Sequence, residues 1–166
     1  MKLHTIAIGS DPNAEASKQL LIAFLKGKGY EVTDFGSDDA IYANVAVKVA
    51  RAVVAGVYDR GILLCGTGLG MSLAANKVAG ALAAPLSDVY SAERARLSND
   101  ANIACFGAFT LGSKLIEKLA EVFLTNEFVP HCSSQPKVDR IRAYEQEEYR
   151  KARETGAADH ADKSGL

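Results

Sequence analysis

The chain has 166 residues, 48% of them hydrophobic and 23% charged, with 19 basic side chains against 20 acidic ones and a net charge of −1. That balance suits one globular domain with its own core and excludes the basic excess expected of a nucleic-acid or anionic-membrane binder. No apolar run approaches the roughly 20 residues that span a bilayer, and the first residues lack a charged-then-apolar leader pattern. The cysteines Cys65, Cys105 and Cys132 are widely spaced and form no Cys-x-x-Cys metal pattern. The expectation is a reduced, cytoplasmic protein with no membrane or nucleic-acid partner.

In chain order, His4 to Gly9 reads as a strand that ends at the breaker Gly9-Ser10-Asp11-Pro12. Residues 14–27 read as a helix with Leu20, Leu21, Phe24 and Leu25 on one face, stopped by Gly27 and Gly29. Glu31 to Phe35 is a second strand, and Asn44 to Ala55 an Ala/Val helix with Asn44 as its N-cap. Gly61 to Leu64 is a third strand running into the loop Cys65-Gly66-Thr67-Gly68-Leu69-Gly70. A helix over Met71 to Val78, a strand over Ala79 to Pro85, a helix over Ser91 to Leu97 and a strand over Ile103 to Phe106 follow. Residues 111–126 form an amphipathic helix with Leu115, Ile116, Leu119, Val122 and Phe123 inward.

This alternation predicts βαβ units and a five-stranded parallel sheet covered on both faces, a Rossmann-like α/β sandwich. From Lys137 to Glu154 the sequence is charged and helix-forming, too polar for a core of its own, and is expected to pack on a neighbour. Residues 1–154 read as one domain, and the small polar stretch from Thr155 onward as a frayed tail.

Ligands of open parallel sheets bind at the carboxyl ends of strands. Three segments are candidates: Ser10 to Asn13, Cys65 to Gly70, and Ser98-Asn99-Asp100. In the second, Gly66, Gly68 and Gly70 let successive amides converge on one point, a nest for a phosphate or a developing enolate. A cysteine at its lip is suited to act as a thiolate base. The loop is no P-loop, lacking Gly-Lys-Ser/Thr, and it follows the third strand rather than the first, unlike the dinucleotide fingerprint.

The block Asp59-Arg60-Gly61-Ile62-Leu63-Leu64-Cys65-Gly66-Thr67-Gly68-Leu69-Gly70-Met71-Ser72, with Ala74-Ala75-Asn76-Lys77, resembles the signature of the ribose-5-phosphate isomerase B and galactose-6-phosphate isomerase (RpiB/LacA/LacB) family. Ile8-Gly9-Ser10-Asp11, Asp34-Phe35-Gly36, Tyr90-Ser91-Ala92 and Asn99-Asp100-Ala101-Asn102 extend the resemblance from residue 3 to about 145. It implies an aldose–ketose isomerase of a small phosphorylated sugar, without metal or cofactor, working through a cis-enediol. It also implies a homodimer, or a higher oligomer built on it, with active sites at the interface. In that scheme Cys65 moves the proton between C1 and C2 and Thr67 helps proton transfer on the sugar oxygens. The amides of Gly66, Gly68, Leu69 and Gly70 hold the enediolate, and Asp11 and Asn99 contact sugar hydroxyls.

The departures are as informative. Pro12 stands where the family has His, Ser98 where it has the ring-opening His, and Phe109 where it has a phosphate-binding Arg. Ser133-Ser134 replace an Arg-His pair, and Lys137 alone keeps a positive charge at the next Arg position. Tyr42 matches a family Tyr, but its neighbours Ile41 and Ala43 differ. Arg94 or Arg96, on the helix leading to Ser98, is a candidate for the missing charge, supplied from a partner subunit; the competing reading is a solvated helix face. His131 falls at the family's phosphate-binding turn and could replace a lost ligand. A tetrose 4-phosphate cannot close a furanose ring, because its O4 is esterified, so it needs no ring-opening His; ribose 5-phosphate is the pentose alternative. A hexose 6-phosphate substrate, and a non-catalytic subunit paired with a catalytic paralogue, are the further alternatives.

Overall fold

Short apolar runs and longer amphipathic ones fold alternately into strands and helices over residues 5–162, which the computed structural model describes, with side chains described through residue 155. The order is β1 (Thr5–Ser10), a 3-10 turn (Pro12–Ala14), α1 (Glu15–Gly27), β2 (Glu31–Asp34), α2 (Tyr42–Val54), β3 (Arg60–Cys65), α3 (Leu69–Ala75), β4 (Ala83–Pro85), α4 (Val89–Leu97), β5 (Ile103–Gly107), α5 (Ser113–Thr125) and α6 (Gln135–Asp162). The five strands form one parallel sheet in the order β2-β1-β3-β5-β4. The predicted α/β architecture is therefore observed.

The chain divides into two compact units, Met1–Val129 and Pro130–Leu166. In the first unit the period-2 alternation of strand side chains separates two cores. Ile6, Ile8, Ile62, Leu64, Ala104 and Phe106 meet α1, α4 and α5 on one face, while Ala7, Leu63, Cys65, Ile103 and Cys105 meet α2 and α3 on the other. Each large aliphatic side chain buried there contributes about 1.5–3 kcal/mol of transfer free energy. The central strands β1, β3 and β5 are covered on both faces, and so read as continuous apolar runs.

Lys18 is fully buried within α1, its ammonium 2.8 Å from both Asp34 and Glu15. The hydrogen bonds from Lys18, then from Ser37, hold the Glu15 carboxyl down at about 2. In the second unit, α6 carries a guanidinium stack of Arg140 over Tyr144 at 3.7 Å and ion pairs Arg140–Glu147 at 3.1 Å and Lys151–Glu148 at 2.6 Å. The helix runs on past residue 155, where the sequence reading starts a frayed tail. Residues 163–166 of that tail, and His4, lie outside the described residues.

Several local expectations are corrected. Asn44 does not cap α2: the helix starts at Tyr42, and Asp39 organises its entry by accepting from the Ile41 amide at 2.8 Å and the Asn44 side chain at 2.9 Å. The strand expected over Ala79 to Pro85 is only Ala83–Pro85, because asparagine side chains take the neighbouring backbone groups. Asn76 both donates to and accepts from Ala83 at 2.8 Å, and Asn102 accepts from the Leu82 amide at 2.8 Å. On α1 Leu20 is exposed while Ile22 is buried, and on α5 Leu115 is exposed while Ala120 and Leu124 are buried. The inward stripes are thus rotated slightly from those read off the sequence.

Candidate functional site

Adjacent parallel strands in register bring the ends of β1 and β3 together: Ser10 pairs with Leu64, and the Asp11 amide donates to the Leu64 carbonyl at 3.0 Å. Asp11 and Cys65 therefore leave neighbouring strand ends side by side. The buried Asp11 carboxylate accepts from the Ala14 amide at 3.0 Å, capping the turn that Pro12 opens, which fixes the side chain at the mouth of the crevice. Pro12 itself is exposed there.

Cys65 is buried, and its Sγ accepts a hydrogen bond from the Gly68 amide at 3.1 Å. That bond is possible because Gly68 adopts φ +78°, which folds the loop back over the sulfur and which a side-chain-bearing residue adopts only at a cost. Among the described residues no backbone carbonyl accepts the amides of Gly66 or Thr67, so these donors remain free for an oxyanion. The exposed Thr67 hydroxyl accepts from the Leu69 amide at 3.4 Å. Cys105 lies deeper; burial, and secondarily the nearby Cys65, push its thiol well up, so it stays protonated and apolar.

The loop after β5 is latched to this nest. Ala108 and Phe109 donate their amides to the carbonyls of Cys65 and Gly66, at 2.8 and 3.0 Å. The Phe109 ring then lies across Gly66, where an added methyl would meet the ring's Cδ2 at 2.9 Å, yet most of the ring surface is exposed at the lip. The phenol of Tyr42 lies against Gly70 in the same way, on the α2 side. Beside the nest, a cavity of about 400 Å³ is lined by Thr67, Leu69, Pro85, Leu86, Ser87, Gly107 and Thr110. Among the described residues no three His, Cys, Asp or Glu side chains gather as a metal-ligand set, and no helix is long and apolar enough to cross a membrane.

The structure thus unites Asp11, Pro12, Cys65, Gly66, Thr67, Gly68, Leu69 and Gly70 at the carboxyl edge of the sheet. Ser98 and Asn99 are not there. They precede β5, and in a parallel sheet that is the opposite edge; the four rises from Ile103 to Gly107, the partner of Cys65, span roughly 13 Å at about 3.3 Å each. Counting Ser98-Asn99-Asp100 among strand carboxyl ends is therefore corrected by the strand direction. Lys137 and His131 belong to the second unit: Lys137 lies in the first turn of α6, and His131 precedes that helix at φ +65°, its amide donating to Gln135 at 3.3 Å.

Thr110, Leu86 and Ser87 were not anticipated at the site. The only sequence signal was their position just after β5 and β4, at strand carboxyl ends.

The family model for ribose/galactose isomerases matches residues 6–141 of the chain. A ribose-5-phosphate isomerase B of Listeria innocua is 47% identical over 144 residues, covering 85% of this chain and 97% of that protein. A D-erythrulose-4-phosphate isomerase of Pectobacterium atrosepticum is 43% identical over 148 residues, covering 87% and 97% respectively. The solved structure of Clostridium thermocellum ribose-5-phosphate isomerase B superposes with a TM-score of 0.82 at 40% identity, covering 87% of this chain and 99% of that one.

Proposed function

The chain belongs to the ribose/galactose isomerase family and is a sugar-phosphate aldose–ketose isomerase, and we propose that its own substrate pair is a tetrose 4-phosphate, with Cys65 as the base. The observation that carries the reading is the Cys65 Sγ held by the Gly68 amide beside free amides of the same loop. The thiolate removes the C2 proton of the aldose and returns it to C1, while the O2 proton passes to O1 with help from Thr67. The enediolate formed between these steps is stabilised by the free amides of Gly66 and Thr67, donors fixed before charge develops. Asp11, capped in place, accepts from sugar hydroxyls.

Chain length is argued from Phe109 and Ser98. An apolar ring over Gly66 walls the crevice where an extended anion-binding side chain would otherwise reach, and this favours a short sugar. The esterified O4 of a tetrose prevents ring closure, so Ser98 suffices where ring opening would call for an acid. The Pectobacterium relative named for erythrulose 4-phosphate supports this reading; the Listeria relative named for ribose 5-phosphate supports the pentose alternative.

Residues 1–154 act as one functional domain, a reading supported by the family match reaching residue 141. The working form is a cytoplasmic homodimer whose sites lie at the interface, because Ser98 and Asn99 stand too far from Cys65 to serve it within one chain.

The test is turnover of four-, five- and six-carbon sugar phosphates by wild type and Cys65→Ala. Tetrose 4-phosphate turnover that exceeds that of ribose 5-phosphate and vanishes in the variant is expected. Equal or better ribose 5-phosphate turnover refutes the tetrose assignment, and a fully active Cys65→Ala refutes the base.

A further inference from the structure

Asp11 reaches the crevice on a short turn, and both ends of that turn lead to one ammonium. On the upstream side, the Phe35 amide donates to the Ile8 carbonyl at 2.7 Å and the Ser10 amide to the Gly36 carbonyl at 3.1 Å. The Ser10 hydroxyl is buried and has no hydrogen-bond partner, so the end of β1 is held through its backbone by the segment that follows β2. Asp34 shapes that segment: its Oδ1 accepts the Gly36 amide at 2.8 Å and closes a turn in which Gly36 adopts φ +92°. The same Oδ1 accepts from the Lys18 ammonium at 2.8 Å.

On the downstream side, the Ala14 amide donates to the Asp11 carboxylate at 3.0 Å and to the Asp11 carbonyl at 3.2 Å. The next residue, Glu15, donates its amide to the Pro12 carbonyl. The Glu15 carboxylate lies 2.8 Å from the same Lys18 ammonium. Gln19 completes the knot, its side-chain amide donating to Glu15 Oε1 at 2.8 Å and to Asp34 Oδ2 at 3.1 Å. The segment from Asp11 to Ala14 is thus bracketed by two residues, Ser10 and Glu15, that are both tied back to Lys18.

Packing does not call for a charge at this position. Burying an ammonium is unfavourable, and an uncharged side chain of similar length would fill the space as well. Lys18 is 1% exposed, whereas the side chains of Glu15 and Asp34 are 41% and 33% exposed and keep part of their solvation. What an apolar side chain could not do is hold two carboxylates, one from each end of the Asp11 turn, at a fixed separation. We propose that Lys18 is a positioning residue for the isomerisation: its ammonium clamps both ends of the Asp11 turn through Asp34 and Glu15, and so sets where the Asp11 carboxylate meets the sugar hydroxyls. The inference rests on the reading of Asp11 as a sugar contact. Its physical basis is that a displacement of about 1 Å, produced away from the reacting atoms, can cost as much as about a hundredfold in turnover.

The experiment compares wild type, Lys18→Met, Asp34→Ala, Asp11→Ala and the two double variants that contain Asp11→Ala. Turnover of tetrose 4-phosphate and ribose 5-phosphate is one readout, and amide hydrogen exchange at Ala14, measured against Ile62 and Leu63 in β3, is the other. Lys18→Met is expected to lower kcat/KM about tenfold, mostly by raising KM, because a hydroxyl contact is made in the ground and transition states alike. Ala14 is expected to exchange about tenfold faster while Ile62 and Leu63 keep their protection. Asp34→Ala cuts the same link from the β2 side, at a side chain one-third exposed, and is expected to act alike; it decides the matter if Lys18→Met does not fold. In the Asp11→Ala background neither substitution is expected to change kcat/KM by more than about twofold. A lysine that served stability alone would lower the urea midpoint and leave kcat/KM and the relative exchange of Ala14 as they were. A kcat/KM within about twofold of wild type in the folded variants, an unchanged Ala14 exchange, or an equal loss with and without the Asp11 side chain overturns the proposal. If Asp11→Ala is as active as wild type, or wild type turns over no sugar phosphate, the reading beneath the proposal falls, while Ala14 exchange still decides whether Lys18 holds the turn.

Discussion

The two edges of one sheet treat polar groups in opposite ways. At the amino edge charged side chains pair with one another: Arg96 is buried with Asp100 at 3.0 Å and Glu127 at 2.9 Å, Arg60 shares Glu127 at 2.6 Å, and Asp59 accepts from the Thr5 amide and hydroxyl at 2.9 and 3.1 Å. Burial, then the neighbouring Arg96, hold the Arg60 guanidinium below its ordinary value. At the carboxyl edge the Gly66 and Thr67 amides have no backbone partner among the described residues and the Thr67 hydroxyl is exposed, with Phe109 and Tyr42 laid against the glycines. The first arrangement lowers the free energy of the fold; the second leaves donors unmatched until a ligand arrives. Substitutions at the two edges should therefore separate stability from activity.

The largest effect is expected at the carboxyl edge. Cys65→Ala, which removes the proposed base, should lower kcat by about a thousandfold, while the urea midpoint shifts little. A comparable loss of stability in that variant would show that the sulfur is chiefly a packing group. Next, Arg96→Ala at the amino edge removes a buried guanidinium from the partly buried Asp100 and the exposed Glu127, with an expected cost of about 2 kcal/mol in unfolding free energy. The kcat/KM of the folded fraction should stay within twofold. If activity fell tenfold with stability intact, the division between the edges would fail.

A smaller effect tests the aromatic wall. Phe109→Arg should raise the kcat/KM ratio of ribose 5-phosphate to tetrose 4-phosphate by about tenfold, because it exchanges a wall for a cation. An unchanged ratio would mean that the ring does not set substrate length.

The smallest effect lies in the Glu15–Lys18 pair, at the carboxyl end of β2 and outside the nest. A carboxyl with a depressed folded value stabilises the protein above its unfolded value, and that stability is lost as pH falls from about 4.5 toward about 2. The Lys18 hydrogen bond is the first cause and that of Ser37 the second. Glu15 is substantially exposed, so solvent screening keeps the effect below about 1 kcal/mol. Urea midpoints measured between pH 5 and 2.5 should fall less steeply in Glu15→Gln than in wild type.

The sequence carried the architecture because periodicity is a local property. Ile6, Ile8, Ile62 and Leu64 alternate, Leu21 and Leu25 recur at helical spacing, and glycines punctuate between. It also carried the nest, since Cys65 and its glycines are contiguous. It missed Asn76 and Asn102 as substitutes for strand pairing, and Asp39 as the organiser of α2. Each of these acts by a side-chain bond to backbone that no hydrophobic pattern records.

What the sequence determined by itself is the parallel sheet and the reactive loop, both set by spacing along a single stretch of chain. What only the tertiary structure decided is which edge each segment occupies and which arginine is buried. Ser98 and Asn99 follow a helix that runs back across the sheet, so their distance from Cys65 is fixed by strand direction. Arg94 and Arg96 are two residues apart on a helix, and the 3.6-residue turn sends one into the core and the other to a groove.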